Sequence, residues 1–410
     1  MKTSLGHRFL MRLRQTVSAM TSTWMAIRED ANTQSHPHAW QQQRTVYERR
    51  LFTYWRQPPV REDELTPSRR RLIEEIRAQT AAANVNNLTR TDAYLRIYLA
   101  HPELHWALLA HLVSRNGGWN MTDLRGDAVR PVLSAASQER YFAFLERCNF
   151  LIFYDAYPQL LLYAYSKRNH EPVFDLLPCL GVSSFMRAAW ETYWEDHCTG
   201  PLVIAQIINE QSFIEQRVVQ NEVYAPIFQE PSFAAQSLFH LVSVFFPAQS
   251  VSGRIVGLYG NRVRDFTSLT ERIAVGKSLY ALLFPKVSAK HRAKRIRSAS
   301  TKSRVRGPVS ALLRFARTVS HSGSRTDYMP SLFSREKHSD RLYSPALREA
   351  WPDSVQAPVE PGDWCHNMEP IQWLNPPEPP PNASLMPRYR ERIRLLKKGA
   401  NAIGPTVRGR

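Results

Sequence analysis

Between Asn84 and Gly126 the chain gathers groups able to do chemistry more densely than anywhere else: Asn87, Arg90, Asp92, Glu103, His105, His111, Arg115, Asn116, Trp119, Asn120 and Asp123. A second concentration, INEQSFIEQRVVQNE at Ile208–Glu222, sets Glu210, Gln211, Glu215, Arg217 and Asn221 into an otherwise apolar helix pattern. If the two met, Glu103 or Glu210 would serve as acid or base beside His105. Asn87, Arg90, Arg115 and Asn120 would then orient a substrate, the outline of a hydrolase. Asp92, Asn116, Trp119, Asp123 and Arg217 complete the candidate binding residues.

The spacing supports no named reaction. HPELH has its two histidines four apart, but Pro102 follows the first directly and Glu103 lies at the wrong offset for the zinc-protease helix H-E-x-x-H. His105 and His111 are six residues apart, roughly 240° around a helix, so they face different ways. No Glu has a His three residues on, as a di-iron bundle requires. Gly276-Lys277-Ser278 looks like the end of a phosphate-binding loop, yet Glu271 stands where that loop needs glycine. Gly253, Gly257 and Gly260 miss the dinucleotide-binding spacing, and neither a G-x-S-x-G elbow nor a Cys/His arrangement is evident. No metal and no cofactor are expected.

The elements that would position these residues read as helices. Apolar residues recur at three and four through the segments 134–156, 158–168, 183–197, 201–222, 232–246 and 267–284, with prolines and glycines between them. A helix is expected after Pro67 or Ser68, ending at Asn84–Asn87. The next runs over Ala93–Ala100, capped by Thr91 or Asp92. A third, opened by Pro102, is apolar nearly all round and therefore buried, and Asn116-Gly117-Gly118 stops it. Strand alternation is scarce, Val251–Val256 being the best candidate. The expected fold is all-α: one large multi-helix domain with a proline-rich C-terminal strap and basic flexible segments.

The net charge of +18 is concentrated in three places. Residues 1–57, a basic arm ending in an apolar cluster at Leu51, Phe52, Tyr54 and Trp55, carry nine Lys/Arg and three acids. Residues 286–326, a Lys/Arg/Ser linker, carry twelve and none, and the tail 388–410 carries eight and one. The helical core 58–285 is near neutral, with 21 basic and 23 acidic residues, which weighs against a nucleic-acid groove built into it. Residues 327–387 form the strap, with eleven prolines between 345 and 387 alongside Trp351, Trp364 and Trp373. The basic segments 286–326 and 388–410 suit an anionic polymer, whether nucleic acid or cell-wall polymer, or an anionic membrane surface. No stretch is long and apolar enough to be a transmembrane segment, no secretory signal is evident, and Cys148, Cys179, Cys198 and Cys365 read as reduced core thiols. A cytoplasmic location is expected.

The text NNLTRTDAYLRIYLAHPELHWALLAHLVSRNGGWNMTDLR, Asn86–Arg125, resembles an uncharacterised bacterial family known mainly from Bacillus-type bacteria, the YppC-like domain of unknown function. The likeness extends more loosely over residues 67–285 and the Trp-containing C-terminal part, and it implies no activity. Two functions stay open at this point. In one, the chain is a non-enzymatic binding or scaffold protein that recognises a protein partner, its basic segments adding affinity for an anionic polymer or surface. In the other it is a hydrolase-type enzyme built around 86–123 and 210–217.

Overall fold

The computed structural model describes residues 37–57, 60–124, 134–229, 243–249, 255–284 and 351–385, with positions 387 and 391. The side chains at 37–39, 117–124, 229, 245, 247–249 and 255–257 fall outside the described residues. So do the linker 286–326 and nearly all of the tail 388–410.

Among the described residues the fold is all-α apart from one hairpin. Its helices are α1 (Pro37–Arg56), α2 (Pro67–Ala83), α3 (Asn87–Ala100), α4 (His105–Leu124), α5 (Ala135–Asn169), α6 (Ser184–Asp196), α7 (Thr199–Ile214), α8 (Ala225–Gln229) and α9 (Leu269–Leu283). A 3₁₀ segment, Phe174–Leu180, links α5 to α6, and a π-helical turn, Glu215–Val219, ends α7. Strands β1 (Ser243–Gln249) and β2 (Ile255–Arg262) pair antiparallel, Phe246 opposite Tyr259, with an irregularity at Ala248/Gln249. Where the sequence pattern implied helix over 232–246, residues 243–246 are therefore strand.

Local chemistry sets most of the helix ends. Thr66 accepts from the Arg69 N–H at the start of α2, where Pro67 takes the first position and has no N–H to satisfy. Asn86 opens α3 with a reciprocal capping box to Thr89. The start of α3 thus lies at Asn87, not after Thr91 or Asp92, and Asn87, Arg90 and Asp92 are helical residues. Ser134 caps α5, and His170, in the left-handed region at φ 56°, ends it.

Two breaks expected from the sequence are absent. Helix α4 runs through Gly117-Gly118 to Leu124. Each glycine costs a helix interior about 1 kcal/mol relative to alanine, and the face from Leu104 to Leu112 buried ahead of them outweighs that. Helix α5 runs through Pro158 as well. Proline there removes one backbone bond, to the Tyr154 carbonyl, but Asp155–Leu160 is buried on every side and holds the chain in line.

The largest apolar cluster joins α1 through α7 and α9, with Trp106, Phe153, Trp190 and Tyr280 among its fully buried members. A smaller one gathers Tyr141, Phe144, Leu151, Phe213 and Trp351. Residues 351–385 cross the body with little regular structure. Trp351, Ile371 and Leu374 are buried, and body side chains hold the segment by its carbonyls: Arg44 donates to Leu374 (2.6 Å) and Lys277 to Trp373 (3.0 Å). Its far end adds to the edge of β2, with Gly260 N donating to Ala383 O and Leu385 N to Leu258 O.

Candidate functional site

One opening among the described residues is a cleft of about 840 Å³. Its walls come from five helices and from the strip Val359–Asp363. Tyr54 and Trp55 project from the last turn of α1, Arg77 and Asn84 from α2 and its cap, and Phe150 and Tyr154 from mid-α5. Ser184 and Arg187 stand at the start of α6, and Phe213 and Arg217 at the end of α7. Two of these aromatics are unusually exposed: Trp55 at 38% and Tyr154 at 37%.

Helical spacing explains the exposure on α1. Leu51 is fully buried and Tyr54 half-buried, three residues on, whereas Phe52 and Trp55 lie on the neighbouring, outward stripe. The apolar cluster Leu51–Trp55 is therefore split: Leu51 enters the core, Tyr54 and Trp55 line the cleft, and Phe52 faces outward.

The charges around the cleft are balanced. Arg77 makes a two-pronged pair with Glu62 (2.8 Å for each contact), and Arg187 pairs with Glu191 (2.9 Å). Among the described residues, no carboxylate lies within ion-pair distance of Arg217. It donates to the carbonyls of Glu360 (3.2 Å) and Gly362 (2.8 Å), and feels Asp155, Glu360 and Asp363 at longer range. Burial lowers its pKa. Asp363 accepts from the Ser184 N–H (2.8 Å), so the strip supplies the anion that the α6 N-terminus favours. Gly362 has φ 132°, a conformation that side-chain-bearing residues rarely adopt, and this lets the strip turn between Arg217 and that cap. Beside the cleft, Thr80 Oγ1, Ser184 Oγ and Arg217 Nε are buried with no hydrogen-bond partner among the described residues.

Behind the cleft wall lies a sealed polar chain. Asp155 Oδ2 accepts from Asn209 and from Gln159 (2.9 Å), Gln159 Oε1 from Trp190 Nε1 (2.9 Å), and Asn209 Oδ1 from Trp364 Nε1 (2.8 Å). Burial pushes the Asp155 carboxyl up to about 7, against the pull of Asn209, Arg217 and Gln159.

Of the candidate residues with described side chains, Arg217 alone lines the cleft. The others occupy separate places. Arg90 pairs with Glu146 (2.5 Å) and donates to Asn84 (3.2 Å), both inside the core. Asn87 donates to the Ser114 carbonyl (3.1 Å) and Asn116 to that of Leu112 (2.9 Å). Asp92 pairs with Arg96 on an exposed turn, and Arg115 is buried near His111. Glu103 accepts from Tyr163 (2.9 Å) and Lys167 (2.5 Å). Burial alone would raise its pKa, but bonds from His101 and Lys167 prevail and hold it near 2. His105 stacks on Phe284 at 3.9 Å and shares a hydrogen bond with the Tyr280 hydroxyl (3.3 Å); burial lowers its pKa to about 3. Glu210 accepts from Trp106 Nε1 and Gln211 (both 3.1 Å), and burial raises it to about 7. Glu103, His105 and Glu210 thus answer to three different sets of partners. Trp119, Asn120 and Asp123 sit on α4, with side chains outside the described residues.

Among the described residues, no group of His, Cys, Asp and Glu is placed to hold a metal ion, and no helix is long and apolar enough to cross a membrane. None of the four cysteines forms a disulfide. Lys277 and Ser278 lie within α9, where Lys277 ties down the C-terminal segment, so Gly276-Lys277-Ser278 is helix and not a phosphate loop.

Fold and cleft together define a mainly helical protein with an aromatic, charge-balanced groove closed on one side by its own C-terminal segment. Residues 82–391 match a family model described as "Protein of unknown function (DUF2515)", and the chain belongs to that family. It is 36% identical over 330 residues to "Uncharacterized protein YppC" of Bacillus subtilis (strain 168), covering 80% of this chain and 93% of that protein. No solved structure matches.

Proposed function

We propose that this is a non-enzymatic binding protein that docks a protein partner in the cleft between α1, α2, α5, α6 and the strip Val359–Asp363. The observation that carries this reading is the pair of exposed aromatics, Trp55 and Tyr154, at the mouth of a cleft of about 840 Å³. Apolar surface of this kind costs free energy in water and is recovered when covered. The volume is that of a small-ligand pocket, roughly 300–1,000 Å³, which is room for one short segment of a partner. The hydrolase reading receives less support, since Glu103, His105 and Glu210 are engaged at separate places and none lines the cleft. The basic segments 286–326 and 388–410 add affinity for an anionic polymer or membrane surface, and the cytoplasm is the compartment in which we place this activity.

A photoreactive amino acid at position 55, introduced in the protein's native cells, tests the docking. The same group at Leu99, an exposed apolar residue away from the cleft, is the control. A discrete protein adduct from position 55 and none from position 99 is expected. Equal labelling at both, or none at either, would refute the assignment.

A further inference from the structure

We infer that the partner enters the cleft as an extended, proline-containing peptide whose backbone carbonyls accept hydrogen bonds from Arg187; this rests on the docking reading above. The argument comes from how the body holds its own chain. Arg147 lies over the Phe150 ring at 5.4 Å and donates to the carbonyls of Ala357 (2.6 Å) and Pro358 (3.2 Å). Arg217 lies over the Phe213 ring at 3.9 Å and donates to the carbonyls of Glu360 and Gly362. Twice, then, an arginine steadied on an aromatic face reads the backbone of the irregular strip Ala357–Gly362, which carries Pro358 and Pro361. Such a strip has carbonyls to spare, because proline has no N–H and no ladder or helix consumes them.

The cleft contains a third unit of the same kind. Arg187 lies over the Tyr54 ring at 4.2 Å, closer than Arg147 to its ring. Its Nε is fixed by Glu191, but no backbone carbonyl among the described residues accepts from it. Among the described residues the unit therefore has ring and fork in place and no strip to read. Trp55 and Tyr154 supply the exposed aromatic faces against which proline rings pack in peptide grooves. Charge points the same way. With Arg77 and Arg187 paired to glutamates, and Arg217 facing Glu360 and Asp363, the walls offer no net positive charge to select an anionic ligand. A neutral backbone read by hydrogen bonds and ring contacts fits them.

The test uses the full chain on an array of proline-containing twelve-residue peptides, each beside a twin with its prolines replaced by alanine. Two variants accompany it. Arg187→Lys keeps the charge and the Glu191 pair but loses the planar fork. Trp55→Ala removes an exposed ring without opening the core. The expected result is a set of peptides retained over their twins, with affinity reduced at least ten-fold in each variant whose melting curve matches the parent. Peptides retained no better than their twins, or bound equally by Arg187→Lys and Trp55→Ala, would overturn the inference. If position 55 still gives a discrete protein adduct in cells while the array shows no proline preference, docking stands and the peptide class falls. If both fail, both readings fall.

Discussion

Arg90 and Glu146 are almost wholly inside the protein, their side chains 2% and 8% exposed, and only 2.5 Å apart. Two charges taken out of water gain less from each other than intuition suggests, yet either one left alone is costly. Glu146→Ala or Arg90→Met alone should therefore lower stability by about 3–5 kcal/mol, read as a shift in the urea midpoint. The joint replacement Arg90→Met/Glu146→Leu should recover most of that loss. Additive losses in the double variant would show that the pair does not act as a unit. Asp155 makes a different residue-scale prediction. Its folded pKa, near 7, lies above the ordinary value of 3.8, so between those limits the folded state binds the proton more tightly than the unfolded chain. The stability this confers is complete below about pH 4 and is lost as pH rises through 7, on the order of a few kcal/mol. Asp155→Asn removes the proton exchange while keeping a group able to bond Asn209 and Gln159. The variant's melting temperature relative to the parent should thus rise steadily from pH 4 to pH 8. A difference that stays flat across this range would mean that Asp155 does not titrate there.

At the scale of elements, the close crossing of α7 and α9 depends on Gly276. A β-carbon there would meet Ile207 Cγ2 at 2.7 Å, well inside ordinary contact, and Ile207 is fully buried. Gly276→Ala should therefore destabilise by about 1–3 kcal/mol through overpacking, despite alanine's better helix propensity. Adding Ile207→Ala should restore room, so the double variant should unfold at a temperature no lower than Ile207→Ala alone. A fully stabilised Gly276→Ala would show that the helices part freely. This glycine also illustrates what the sequence could and could not convey. Spacing of three and four made the all-α class legible, and the all-round apolar text of Leu104–Val113 correctly marked a buried helix. Punctuation misled, because Gly117-Gly118 and Pro158 look the same whether or not tertiary burial overrides them. Strand β1 was missed since, with Val244, Phe245 and Phe246 in succession, it lacks the alternation of a half-exposed strand, and the strand candidate Val251–Val256 meets β2 only at Ile255-Val256. The candidate site was the least legible part. Tyr54, Arg77, Tyr154, Arg187 and Arg217 share no local spacing, and periodicity identifies buried faces but not where two of them leave a gap. Arg217 was found because charge interrupts an apolar helix there; Trp55 was noticed, but only as part of a core-facing cluster.

At the scale of the whole molecule, charge and cleft are two separate devices. The region 58–285 is near neutral and its cleft is internally balanced, whereas residues 286–326 and 388–410 hold twenty Lys/Arg and one acid. A polyanion gains from such segments mainly by releasing its condensed counterions, so affinity falls steeply with salt. The intact chain should be retained on immobilised heparin and elute at a salt concentration well above that of a variant lacking 286–326, with a shallower salt dependence for the deletion. Trp55→Ala should elute with the parent, because ring contacts at the cleft mouth contribute nothing to counterion release. Conversely, deleting 286–326 should leave the adduct formed at position 55 in place if the cleft alone recognises the partner. Unchanged heparin elution after the deletion would remove this segment from polyanion binding, and loss of the position-55 adduct on deletion would mean that the basic segment and the cleft engage one partner together.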